Sequence, residues 1–211
     1  MFFQNIRQQK TVDSKQKWLH PLLVIVSGLS LGIISKILDE TASNELPFFL
    51  EAVDIGNYLS RMGIWLFLAL VLAIYSRTPF RAALHVLLFF TSMVSSYYLY
   101  TIYVAGFYPK SYMMIWIFMA AVSPFLAIFC WFAKSKGWFS VIILAFIVLF
   151  MSRQAFAFGF WYFDIRYLLE FILFLMTLIV LYQSPKQIIK VIAIGMALFF
   201  LTAQIPLYGM L

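Results

Sequence analysis

Charge is what this sequence has least of. Asp, Glu, Lys and Arg together make up 11% of 211 residues, where a soluble domain carries about 25%. That shortfall excludes an ordinary water-soluble fold. Cysteine is nearly absent as well. Cys130 stands alone, so no disulfide forms within the chain and no cysteine-pair metal spacing exists. Beside Trp131 it reads as a small buried hydrophobe. The two histidines, His20 and His85, have no acid near them in sequence. HExxH and glycine-rich phosphate loops are missing too, and with them the usual ways to place a zinc-bound water or a nucleotide phosphate. No catalytic residue, metal ligand or cofactor is assigned.

What is present is apolar. Hydrophobic residues make up 64% of the chain, and the mean hydropathy is +0.96. This is the composition of an integral membrane protein. A membrane helix needs about 20 apolar residues, so the length accommodates six or seven spans. The fold class expected is an all-α, polytopic transmembrane helical bundle of about seven spans. They fall at 18–38, 62–76, 82–107, 112–133, 138–160, 167–183 and 188–208. Breaker runs separate them: "SRTPFR", "YPKS", "KSKG" and "QSPK". Residues 1–17 form a basic N-terminal segment, and 18–211 a single transmembrane domain. The first apolar run lacks a small-residue cleavage site and reads as a retained span.

The net charge of +7 follows from topology. Cytoplasmic loops collect Lys and Arg. With the N-terminus inside and the C-terminus outside, Arg7, Lys10, Lys15, Lys17, Arg77, Arg81, Lys134, Lys136, Lys186 and Lys190 all face the cytoplasm. Of the acids only Asp13 does; Asp39, Glu40, Glu45, Glu51, Asp54, Asp164 and Glu170 fall outside. The host is expected to be a bacterial cytoplasmic membrane, crossed several times. No basic block with interleaved aromatics stands apart from the spans, so nucleic acid is not expected as a partner. Between the first two spans, Pro47 can open a short interfacial helix. Phe48, Phe49, Ala52, Val53 and Ile55 form its apolar side, and Gly56 is expected to break it.

Charges inside such a chain are costly, and an intramembrane ionisable group is by default a functional candidate. "LFMSRQAFAFGFWYFDIRYLLEF" carries Arg153, Gln154, Asp164, Arg166 and Glu170 among aromatics that include Trp161. Arg166 and Glu170 are spaced to pair across one helix turn. In "SKILDE", Lys36 faces Asp39 and Glu40 at three and four residues. In "LEAVDIGNYLSR", Asn57 and Arg61 share a face next to Asp54, and Arg61 opens a span on the outer side against the positive-inside tendency. Tyr97, Tyr98 and Tyr100 crowd the outer half of the third span, as an interfacial belt or as cavity walls. In "GLSLG", Gly28 and Gly32 make a small-residue face for close helix packing, within the chain or with a separate subunit. Pro124 is expected to kink its helix.

The leading expectation is an outward-facing pocket that binds or translocates a small polar or charged solute. Lys36, Arg61, Arg153 and Arg166 would contact anionic groups there. Asp39, Asp54, Asp164 and Glu170 would balance those charges or hold a cation or amine. A second class is a non-transporting membrane subunit, sensor or immunity-type protein that holds a partner subunit. A third is a lipid-modifying enzyme with Glu51, Asp54 or Asp164 as acid or base. In size and helix packing the chain is similar to the small multi-span binding subunits of bacterial vitamin transporters, with no binding motif shared.

Overall fold

The computed structural model describes residues 7–9, 11, 14–159 and 161–203, with backbone alone at 14–16. Among the described residues the chain is 79% helical, in nine α-helices. They are α1 Ser14–Glu40, α2 Phe48–Ala52, α3 Ile55–Ser60, α4 Met62–Tyr75, α5 Pro79–Tyr103, α6 Lys110–Phe132, α7 Trp138–Ala155, α8 Leu168–Leu181 and α9 Pro185–Thr202. Five of them, α1, α5, α6, α7 and α9, are long and apolar enough to cross a membrane. The apolar helices α4 and α8 have 14 residues each, a rise of about 21 Å. The longer helices α1 and α6 expose leucine, isoleucine and phenylalanine, among them Leu22, Ile34, Ile115 and Phe118, as bilayer contact requires. The chain is an integral membrane protein.

The described residues divide into two compact units, one within 8–60 and 69–131, the other of Arg7, 61–68 and those within 132–203. In the first unit α1 and α5 run parallel. Arg81 Nη2 donates to the Lys17 carbonyl at their N-terminal ends (3.0 Å), and Tyr97 donates to Asp39 at their C-terminal ends (2.9 Å). Glycine makes the close approach possible. A Cβ on Gly28 would lie 2.7 Å from the Phe89 carbonyl oxygen and collide with Ser92 Oγ. One on Gly32 would collide with Ser96 Oγ and the Met93 carbonyl. Packing of this kind holds membrane helices together where no hydrophobic driving force acts between them. Helix α6 buries only a small-residue stripe, Ala120, Ser123 and Ala127, ending in Trp131. Pro124 lies within it without ending it.

In the second unit α7 and α9 run parallel, with Gly195 against Val148 and Ala145. Helix α8 runs antiparallel beside them. Lys134, just before α7, donates to the last carbonyls of α8, Val180 (2.5 Å) and Tyr182 (3.1 Å). A cation on a helix C-terminus is well placed for the dipole.

Several sequence expectations are corrected. The fifth span does not continue to 160: α7 ends at Ala155, and Phe156–Gly159 pairs antiparallel with Tyr162–Ile165 as β1 and β2. Aromatic residues favour the pleated state, and they alternate here. The cross-strand pairs put Phe156, Phe158, Phe163 and Ile165 on one face. That face packs on Phe171 and Phe174 of α8 and Phe199 and Phe200 of α9. The connection at 41–60 holds a 3-10 turn at Ser43–Glu45 and two short α-helices instead of one. Its break falls at Asp54, in the left-handed region at φ 56, a conformation Asp tolerates better than most residues; Gly56 lies inside α3. The first helix begins at Ser14, before the expected 18. The expected end of the last span, with Gln204 and Pro206, lies outside the described residues.

Candidate functional site

The first polar cluster forms where α1 ends against α5. One turn past Gly32, the Lys36 side chain is 3% exposed. Its Nζ lies 3.2 Å from Asp39 Oδ2 and 3.2 Å from Glu40 Oε1. All three sit on one helix, so the spacing alone brings them together. Two rings cover the ammonium, Tyr97 with its centroid at 5.3 Å and Phe107 at 5.0 Å, within cation–π range. Asp39 accepts further hydrogen bonds from Tyr97 Oη (2.9 Å) and Ser60 Oγ (3.1 Å). Glu40 has no other partner among the described residues. The two carboxylates are 34% and 33% exposed. The cluster therefore has a sealed cation below and acids open above, with a net charge of −1.

The second cluster belongs to the other unit. Glu170, in the first turn of α8, is 1% exposed, and a helix N-terminus favours its charge. Arg61 Nη1 donates to both of its oxygens, at 3.1 and 3.2 Å. The Tyr167 ring lies 3.5 Å from the guanidinium carbon. Gly63 leaves room: a Cβ there would meet Glu170 Cγ at 3.7 Å and Gln154 Cβ at 3.9 Å. This is a closed, neutral pair.

The expected Arg166–Glu170 pair does not form. Helix α8 starts at Leu168, so Arg166 is outside it; its side chain is exposed and its amide donates to Ala155 O (2.8 Å). Arg153 sits in the last turn of α7, where its Nη1 donates to the Thr202 carbonyl at the end of α9 (2.5 Å). Asp164 is exposed and accepts from the Ile165 amide (2.7 Å). Trp161, at the hairpin tip, is 98% exposed and lines no wall. Asn57 donates to Asp54 Oδ1 (2.6 Å), and Arg61 directly follows the end of α3 at Ser60. Tyr98 is buried against Tyr97, and its hydroxyl has no partner among the described residues. Tyr100 is half-buried.

Read as letters, GLSLG has the spacing of a GxSxG nucleophile elbow. It lies wholly inside α1, with Ser30 mid-helix and exposed and not on a strand-to-helix turn, so it is not one. Sequence reasoning missed Ser60, Phe107 and Tyr167, all of which depend on folding around the charge. Near the N-terminal end of α5, His85 Nδ1 meets Ser76 Oγ (3.1 Å), while Trp131 Nε1 donates to the Ser76 carbonyl (2.8 Å). Burial, with Arg7 nearby as a second cause, holds Lys134 below the usual lysine pKa. Among the described residues no group of three or more His, Cys, Asp or Glu is arranged to hold a metal. No protein-family model matches the chain, and no curated protein or solved structure is significantly similar to it.

Proposed function

We propose that the chain crosses its membrane seven times, N-terminus inside, and binds a small polar or charged solute at the outer end of the bundle. Two features support the crossing pattern. Parallel α1 and α5 require a return segment between them, and α4 is the apolar helix available. Parallel α7 and α9 have α8 as their return. In each unit basic residues collect at the N-terminal ends of these parallel helices, Lys17, Arg77 and Arg81 in one and Lys134, Lys136, Lys186 and Lys190 in the other, as cytoplasmic ends do.

The observation that carries the binding reading is the Lys36 cluster. Its ammonium lies under the Tyr97 and Phe107 rings, out of reach, while Glu40, a third exposed, keeps a carboxylate oxygen with no partner among the described residues. An amine or other cation fits there; an anion does not. Purified protein screened by thermal shift against amino acids, polyamines and quaternary ammonium ions is expected to yield at least one stabilising cation. Glu40→Gln is expected to weaken it by about tenfold, the ~1.4 kcal/mol that one exposed charge contact is asked to supply. A panel with no hit, or hits indifferent to Glu40→Gln, defeats the reading.

A further inference from the structure

At the N-terminal ends of α7 and α9, the second unit holds a cavity of about 590 Å³. Lys136, Lys186 and Lys190 line it with Gln187; Trp138 and Val141 supply its apolar side, and among the described residues no carboxylate borders it. Among the described residues none of the three lysines makes an ion pair. Asp13, the acid assigned by sequence to this side, lies outside the described residues.

The arrangement works against the helix that carries it. Lys186 and Lys190 are four apart on α9, so two like charges face each other across one turn. They occupy the first two turns, where the helix dipole already presents positive charge. Lys136 adds a third cation just ahead of α7. Gln187 Oε1 is buried and has no partner among the described residues, an acceptor open to a hydroxyl. A chain otherwise sparing with charge has concentrated cations around a space large enough for a ligand.

We propose that this cavity binds a phosphate group, with its oxygens on Lys136, Lys186 and Lys190. An anionic phospholipid headgroup and a free phosphate share that chemistry. Trp138, 66% exposed at the rim, favours the lipid, because Trp settles at the headgroup level and basic pockets between helices on the cytoplasmic side take up lipid phosphates. The site is independent of solute binding at the outer end.

The full chain is placed in nanodiscs of phosphatidylcholine alone, of phosphatidylcholine with phosphatidylglycerol, or of phosphatidylcholine with millimolar inorganic phosphate against chloride at equal ionic strength. Binding is expected to raise the unfolding temperature by about 5 °C. Lys186→Gln with Lys190→Gln abolishes the rise, Lys186→Arg with Lys190→Arg keeps it, and Lys17→Gln, outside the lining, leaves it unchanged. A rise confined to phosphatidylglycerol assigns the phosphate to lipid, and one confined to inorganic phosphate assigns it to a soluble source. No rise with either probe, or a rise that survives the double glutamine variant, overturns the proposal.

Discussion

Gly32→Leu is expected to cost about 3 kcal/mol or more, the upper range for overpacking a tight interface. The first atom of the new side chain already collides with Ser96 Oγ and the Met93 carbonyl, and it lies 3.1 Å from the Met93 carbonyl carbon. A serine hydroxyl can rotate away; a helix backbone cannot. Helix α1 must therefore move off α5. The contacts one turn further on, Lys36 under Tyr97 and Asp39 on its hydroxyl, are then lost with it. Ser30→Leu, on the exposed side of the same turn, adds the same bulk toward lipid and is expected to be neutral. Unfolding temperatures of the two variants in one detergent decide the matter. Equal tolerance would show that the helices do not pack through Gly32.

Glu170→Gln is the second large effect. It leaves the Arg61 guanidinium without its carboxylate in a site where Glu170 is 1% exposed. Breaking one side of a buried pair typically costs ~3–5 kcal/mol, whereas replacing both partners with apolar groups is often near neutral. Arg61 is 19% exposed, so the lower end, about 3 kcal/mol, is expected. Arg61→Met combined with Glu170→Leu should recover most of it. The double-mutant cycle isolates the pair, since the two single losses should not add. Additive losses would mean that the carboxylate and guanidinium do not depend on each other.

The parts of this molecule legible in its sequence are those that one helix contains. The apolar runs mark where helices lie because bilayer crossing demands length and hydropathy together. Lys36 could be matched with Asp39 and Glu40 because three- and four-residue spacings on a helix fix neighbours without tertiary knowledge. Arg61 and Glu170 are 109 residues apart, and no local rule joins them. The hairpin was lost for a different reason. "FAFGFWYFDI" is as apolar as a span, and hydropathy outweighed its alternation and the turn signal of Gly159. That choice carried the position of Arg153 with it: at the end of α7 it meets a helix-end carbonyl instead of a buried partner. It also produced the Arg166–Glu170 pair, which needs a helix that includes Arg166, whereas α8 begins two residues later. At Asp54 and Gly56 the expectation put the break on glycine, but Asp also reaches the left-handed region, and the chain turns there. The lysine-lined cavity needs two helix starts side by side, which no single stretch encodes.

Everything functional here presupposes that basic ends face the cytoplasm and the Lys36 and Arg61–Glu170 ends face outward. Site-directed labelling measures this directly. On a Cys130→Ala background, single cysteines are introduced as Glu45→Cys, Lys110→Cys, Lys17→Cys and Lys136→Cys, all at exposed positions. A membrane-impermeant maleimide is then applied to sealed, right-side-out vesicles. The account predicts labelling at 45 and 110 in intact vesicles, and at 17 and 136 only after lysis. The reverse pattern, or labelling of all four from one side, would contradict it.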